Sequence, residues 1–163
     1  MTTPSVLPVQ YAGNYKDFLK VKVGNTGAAR VVVAAVSVPS GTAADAIVGL
    51  VPFVKGARFV IGDKSVHCGN FGAAGTTINI GYVYEDNVTY TNDVDAWASA
   101  NTAPAAGGFV TVDEIDGLSF VAAGNGWLTA QLLTSAADAT ANITCNLVVA
   151  YDGIGVNNSN NQS

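Results

Sequence analysis

The stretch from Pro52 to Asp86, PFVKGARFVIGDKSVHCGNFGAAGTTINIGYVYED, constrains the fold more than any other part of the chain. Its β-branched and aromatic residues sit between glycine punctuators, a composition that fits a pleated, half-buried surface. It predicts two strands, Arg58 to Cys68 and Thr76 to Tyr84, joined as a hairpin by the small-residue turn Gly-Asn-Phe-Gly-Ala-Ala-Gly. In the second strand Thr76, Ile78, Ile80, Tyr82 and Tyr84 share one face, and Thr77, Asn79, Gly81 and Val83 the other. One of those faces is expected to look inward.

The flanking chain reads the same way. Residues 1–13 hold Pro4, Pro8 and Gly13 with no period, and read as an extended arm. In Phe18 to Val23, Leu19, Val21 and Val23 alternate with Lys20 and Lys22, a half-buried strand with a lysine face. Gly24-Asn25-Thr26-Gly27 is a turn signal, so this strand should form a hairpin with the apolar strand Ala28 to Val38. Ala44 to Val54 is a further strand, with Gly49 and Pro52 marking an edge or a bulge. Asn92 is placed to cap a short helix over Asp93 to Ala100, with two aspartates in its first turn where the helix dipole favours them. Short strands follow near Phe109 to Val112, Leu118 to Ala122, Trp127 to Thr134 and Ile143 to Tyr151, and the tail from 153 to 163 is low-complexity and polar. Seven to nine short strands with at most one short helix predict an all-β chain: a single antiparallel β-sandwich, jelly-roll-like, over residues 14–152.

Composition supports one such domain. With 163 residues the chain can bury a core without metal or disulfide support. Its 18 glycines and 12% charged residues, about half the usual charged share, disfavour long helices and leave a surface that needs partial cover. All seven basic residues (Lys16, Lys20, Lys22, Arg30, Lys55, Arg58, Lys64) lie in the first 64 positions, against three aspartates, for a net of +4; residues 65–163 carry nine acids and no base, for −9. Such a chain can present one basic and one acidic end, suited to docking on an acidic surface. It has no basic run or arginine stripe for nucleic acid, no apolar run of membrane-spanning length and no secretory signal, so assembly in a cytoplasm is expected.

The motifs that could carry chemistry are weak. His67 and Cys68 are adjacent on a strand and must point to opposite faces, so His67 cannot activate Cys68. His67 is the single histidine, and no Gly-x-Ser-x-Gly elbow accompanies it. Asp93, Asp95, Asp113, Glu114 and Asp116 do not fit the twelve-residue calcium loop and read as solvated acids in turns. Cys68 and Cys145 can pair only if their strands are neighbours, and in a reducing compartment buried free thiols are expected. Gly72-Ala73-Ala74-Gly75 has no following helix or lysine and is a turn, not a phosphate cradle. No catalytic residue, metal or cofactor is expected.

One larger pattern remains. Val51-Pro52-Phe53-Val54-Lys55-Gly56-Ala57-Arg58 leads into a strand, followed by Gly-Ala-Ala-Gly-Thr-Thr-Ile-Asn-Ile-Gly-Tyr from Gly72 to Tyr82. Gly117-Leu118-Ser119-Phe120 and the closing Leu147-Val148-Val149-Ala150-Tyr151 come later in the chain. Over residues 40–152 this order resembles the small virion proteins of tailed bacteriophages. The resemblance implies a capsid decoration, or cement, protein: a jelly-roll-like domain, homotrimeric, bound to the major capsid protein on the outside of the head shell, with no part for nucleic acid or membrane. The charge division then assigns shell contact to the basic N-terminal side, with Tyr11, Tyr15, Lys16, Phe18, Lys20 and Lys22 as the contact residues. A receptor-binding or fibre module of the same virion is the alternative, favoured if Tyr84, Tyr90 and Trp97 cluster on exposed loops.

Overall fold

The apolar runs between glycine and polar punctuators become nine strands in a computed structural model that describes residues 29–72, 75–133 and 137–151. They are β1 (Ala29–Val38), β2 (Ile47–Phe53), β3 (Ala57–Val60), β4 (Val66–Cys68), β5 (Ile78–Tyr84), β6 (Asp93–Asn101), β7 (Gly108–Phe109), β8 (Gly126–Leu132) and β9 (Ala141–Tyr151). A four-residue helix, α1 (Ala103–Ala106), and a 3-10 turn (Asp116–Ser119) complete the described elements. All pairings are antiparallel. One sheet has the order β1-β9-β4-β7, with β3 also on β9; the other has the order β2-β8-β5-β6.

β3 and β4 run along the same side of β9, at Ala57–Val60 and then Val66–Cys68. They are one strand interrupted at Gly62–Ser65, where Ser65 N–H donates to Gly62 O (2.8 Å) and Gly62 N–H to Ser65 Oγ (2.9 Å). With β3 and β4 counted as one, eight strands wind between this five-stranded sheet and the four-stranded one as in a jelly roll. β2 is an edge strand whose register with β8 shifts between Gly49 and Val51, as its glycine and proline imply.

Four expectations give way. The expected central hairpin does not exist, because β4 and β5 lie in opposite sheets. The connection between them is anchored by Phe71, which is fully buried and whose carbonyl accepts from the Asp138 and Ala139 amides (2.9 and 2.8 Å). The expected helix over Asp93 to Ala100 is strand β6. Its Ala96, Trp97 and Ala98 are buried beside β5, so tertiary packing overrides the local capping signal, and Asn92 Oδ1 accepts the Tyr84 amide instead (2.8 Å). Leu118 to Ala122 forms the 3-10 turn and irregular chain, not a strand. The Phe109 to Val112 strand shrinks to two residues, after which Val112 N–H turns to Asp63 Oδ1 (3.0 Å) and Asp113 N–H to Trp97 O (3.1 Å). The hairpin expected from Phe18 to Val38 lies partly outside the described residues, and the arm and the polar tail lie wholly outside them. The described partner of β1 is β9, in register from Ala29↔Ala150 to Val38↔Ala141.

Between the layers, Phe53, Phe59, Tyr82, Tyr84, Trp97 and Phe120 form one aromatic cluster. Most contacts are edge-to-face, such as Phe59 on Trp97 at 5.8 Å and Phe53 on Tyr84 at 5.8 Å, the geometry that ring quadrupoles favour. The cluster fills the end of the sandwich where β2 passes into β3.

Candidate functional site

The residues that could carry chemistry are held apart or shielded. On β4, His67 faces outward with its ring against Phe109 (5.0 Å between centroids), while Cys68 faces the core. Alternation along the strand thus separates them, as the sequence requires. Cys145 on β9 sits opposite Val66, and Cys68 opposite Ile143, so the two thiols are diagonal neighbours two residues out of register. Such diagonals lie roughly 7–8 Å apart, beyond disulfide reach, and both cysteines are free. Burial pushes each thiol up to about 12, so neither forms a nucleophilic thiolate near neutral pH.

A second group gathers at the start of β6. Burial, then the hydrogen-bonded Asp95 carboxyl, then the charges of Asp95 and Asp116 raise the Asp93 pKa above the ordinary carboxyl range. Burial first, and then Tyr84, Asp93 and Asp116, push the Tyr82 hydroxyl up to about 12. These shifts record crowding and desolvation of acids. Among the described residues no three His, Cys, Asp or Glu side chains are placed to hold a metal ion, and no helix is long and apolar enough to cross a membrane.

What the described surface offers is an interaction face. The outward positions of the five-stranded sheet carry Val31 (71% exposed), Val33 (70%), Val60 (62%) and Phe109 (53%). Val31 and Val60 flank Val148 in one cross-strand row. Among the described residues the ionisable side chains on this face are Arg58 and His67. In the sequence, β1 shows apolar residues on both faces (ARVVVAAVSV), the signal that its outer side is not simply solvated, although the apolar row across β3 and β9 required the register.

The six expected shell-contact residues, Tyr11, Tyr15, Lys16, Phe18, Lys20 and Lys22, lie outside the described residues. Of the three aromatic residues whose exposure on loops would favour a fibre module, Tyr84 and Trp97 are buried in the aromatic cluster, and Tyr90, in the loop between β5 and β6, is half-buried and packs on Tyr84 (5.2 Å). They form no exposed recognition patch.

No family model matches the sequence, and no curated protein matches it. Two solved structures do match in three dimensions. A chain in the capsid asymmetric unit of cyanophage Pam1 superposes with a TM-score of 0.51 at 17% identity, over 78% of this chain and 88% of that one. The fold is one found in phage capsids. A chain in the capsid of Ralstonia phage GP4 matches with a TM-score of 0.51 at 17% identity, over 73% of this chain and 84% of that one. At this identity the phage-capsid likeness is a likeness of fold, and it agrees with the virion resemblance seen in the motif order.

Proposed function

We propose that this protein is a non-enzymatic virion structural protein: a cement protein that binds the major capsid protein on the outside of a tailed-phage head and stabilises the shell. The observation that carries this reading is the jelly roll shared with chains of two phage capsids over most of each chain's length. Two features of the chain support it. The exposed valines and Phe109 on one sheet face are apolar surface that association would cover, and a homotrimer suits the three-fold positions of a capsid. The basic N-terminal side, with Lys16, Lys20 and Lys22, suits an acidic shell exterior that would repel the acidic remainder. Neither nucleic acid nor membrane enters this reading. The fibre-module alternative loses its supporting feature with the burial of Tyr84 and Trp97.

The test is reconstitution. Purified protein mixed with heads that lack it should bind saturably, co-sediment with them and raise their resistance to heat. Heads that sediment without it, in a buffer where the protein is folded, would refute the reading.

A further inference from the structure

The outer face of the four-stranded sheet is buried as thoroughly as its inner face. Across β2, β8 and β5 that face presents three rows: Pro52, Trp127 and Val83; Gly49, Thr129 and Gly81; Ile47, Gln131 and Asn79. Seven of these nine residues are buried, and Ile47 and Gln131 are half-buried. Trp127 is 1% exposed and Thr129 0%. A sheet face excludes water to this extent only beneath another layer.

One part of that layer is visible. The β6 backbone crosses the face over Gly81, so close that a Cβ on Gly81 would stand 2.1 Å from the Val94 carbonyl carbon and 2.5 Å from Asp95 N. Val94 then packs with Val83, Trp127 and Ile47 in a small apolar cluster separate from the main core. Gly49 stands in the same row on the other side of Thr129, towards the β2 edge. A glycine inside a strand marks a place where another backbone can approach closely. Between the two glycines the Thr129 hydroxyl is buried and has no hydrogen-bond partner among the described residues. Such a group calls for a main-chain partner from above.

We propose that residues 14–28 supply the other half of this layer. In this arrangement the chain turns at Gly24-Asn25-Thr26-Gly27 round the β2 edge. Leu19 to Val23 runs extended over Gly49, with Leu19, Val21 and Val23 against the Trp127 face and Lys20 and Lys22 outward. A main-chain group of this segment meets Thr129 Oγ1.

The position of β1 makes this reachable. β1 and β2 are edges of opposite sheets and pack against each other, and Ala29 lies at the end where β2 passes into β3, the Trp127 end. Crossing from one layer to the outside of the other means passing a sheet separation of about 10 Å and then rising onto the far face, where Gly49 lets a backbone lie close. Five extended residues, Gly24 to Ala28, span up to about 17 Å. The alternation of the segment matches its task, with one apolar side for the dry face and one lysine side for water. In this proposal Leu19 to Val23 covers the outer face of the β2-β8-β5-β6 sheet, whereas the sequence alone assigns it to a hairpin with β1.

Methyl-labelled, full-length protein tests this by NMR. Nuclear Overhauser contacts from the Leu19, Val21 and Val23 methyls to the Trp127 indole and Thr129 methyl are expected, within one molecule. Val21→Asp should abolish those of Leu19 and Val23 while leaving the core methyl shifts in place. Contacts to Val31 through Val38 would establish the hairpin instead and overturn the proposal. Contacts seen only between differently labelled molecules would assign the face to a second copy, and an absence of long-range contacts would also overturn it.

Discussion

Gly117 lies flat against the indole of Trp97: a Cβ at Gly117 would stand 2.2 Å from Trp97 Nε1 and 2.4 Å from Cδ1. The 3-10 turn thereby closes the core over Trp97, whose Nε1 is buried without a hydrogen-bond partner among the described residues. Gly117→Ala should cost about 1–3 kcal/mol through overpacking. Gly62→Ala, where nothing lies within 4 Å of the added Cβ, should stay within about 0.5 kcal/mol. Urea unfolding of the two variants measures the difference.

The thiols fix an alkaline limit. In the unfolded chain each cysteine ionises near 9.0, whereas in the fold burial holds Cys68 and Cys145 protonated to about 12. Above pH 9 the unfolded state therefore binds fewer protons than the native state, so stability falls as pH rises from about 9 to 12 and is fully present below that window. The slope approaches roughly 1.4 kcal/mol per pH unit per thiol. Denaturant titrations at pH 8, 9 and 10 should show the decline, reduced in Cys145→Ala. Native protein should resist alkylation at pH 8 until it is unfolded.

Val33 is 70% exposed, so Val33→Asp should change folding stability by no more than about 0.5 kcal/mol. It should nonetheless shift a trimer towards monomer in sedimentation-velocity runs at micromolar concentration. A wild-type protein that is monomeric both there and on the particle would remove the self-association part of the account.

If lysines drive the proposed shell binding, salt screens it. Occupancy on heads should therefore fall as ionic strength rises, and it should fall further for the double variant Lys20→Glu, Lys22→Glu. Reversal at Glu114 and Asp116 should leave it little changed. Asp113 is a poorer control, because its Oδ1 accepts the Ser99 amide (3.0 Å). Particle-bound protein quantified on gels across a salt series reads all three.

The strand content and the edge position of β2 were legible because β-branched alternation and Pro52 are local signals. The pairing was not, since it depends on contacts distant along the chain. Phe71, one residue in a run of small ones, becomes a core anchor that carries the chain between sheets where a hairpin was expected. At Asn92 and Asp93 a good capping signal lost to Trp97, whose burial against Phe59, Tyr82 and Phe120 outweighs what one helix cap contributes. The separation of His67 from Cys68 is legible in the sequence because strand alternation alone dictates it. The row in which exposed Val31 and Val60 flank half-buried Val148 needed the β9 register, which the sequence does not contain.

The central claim is a position on the outside of a capsid, and cryo-electron microscopy of purified particles tests it most directly. Expected is density on the outer surface of the head, at three-fold positions, into which three copies of this sandwich fit with their basic N-terminal sides towards the shell. Particles that lack the chain by mass spectrometry, or density that places it in the tail or inside the head, would contradict the account.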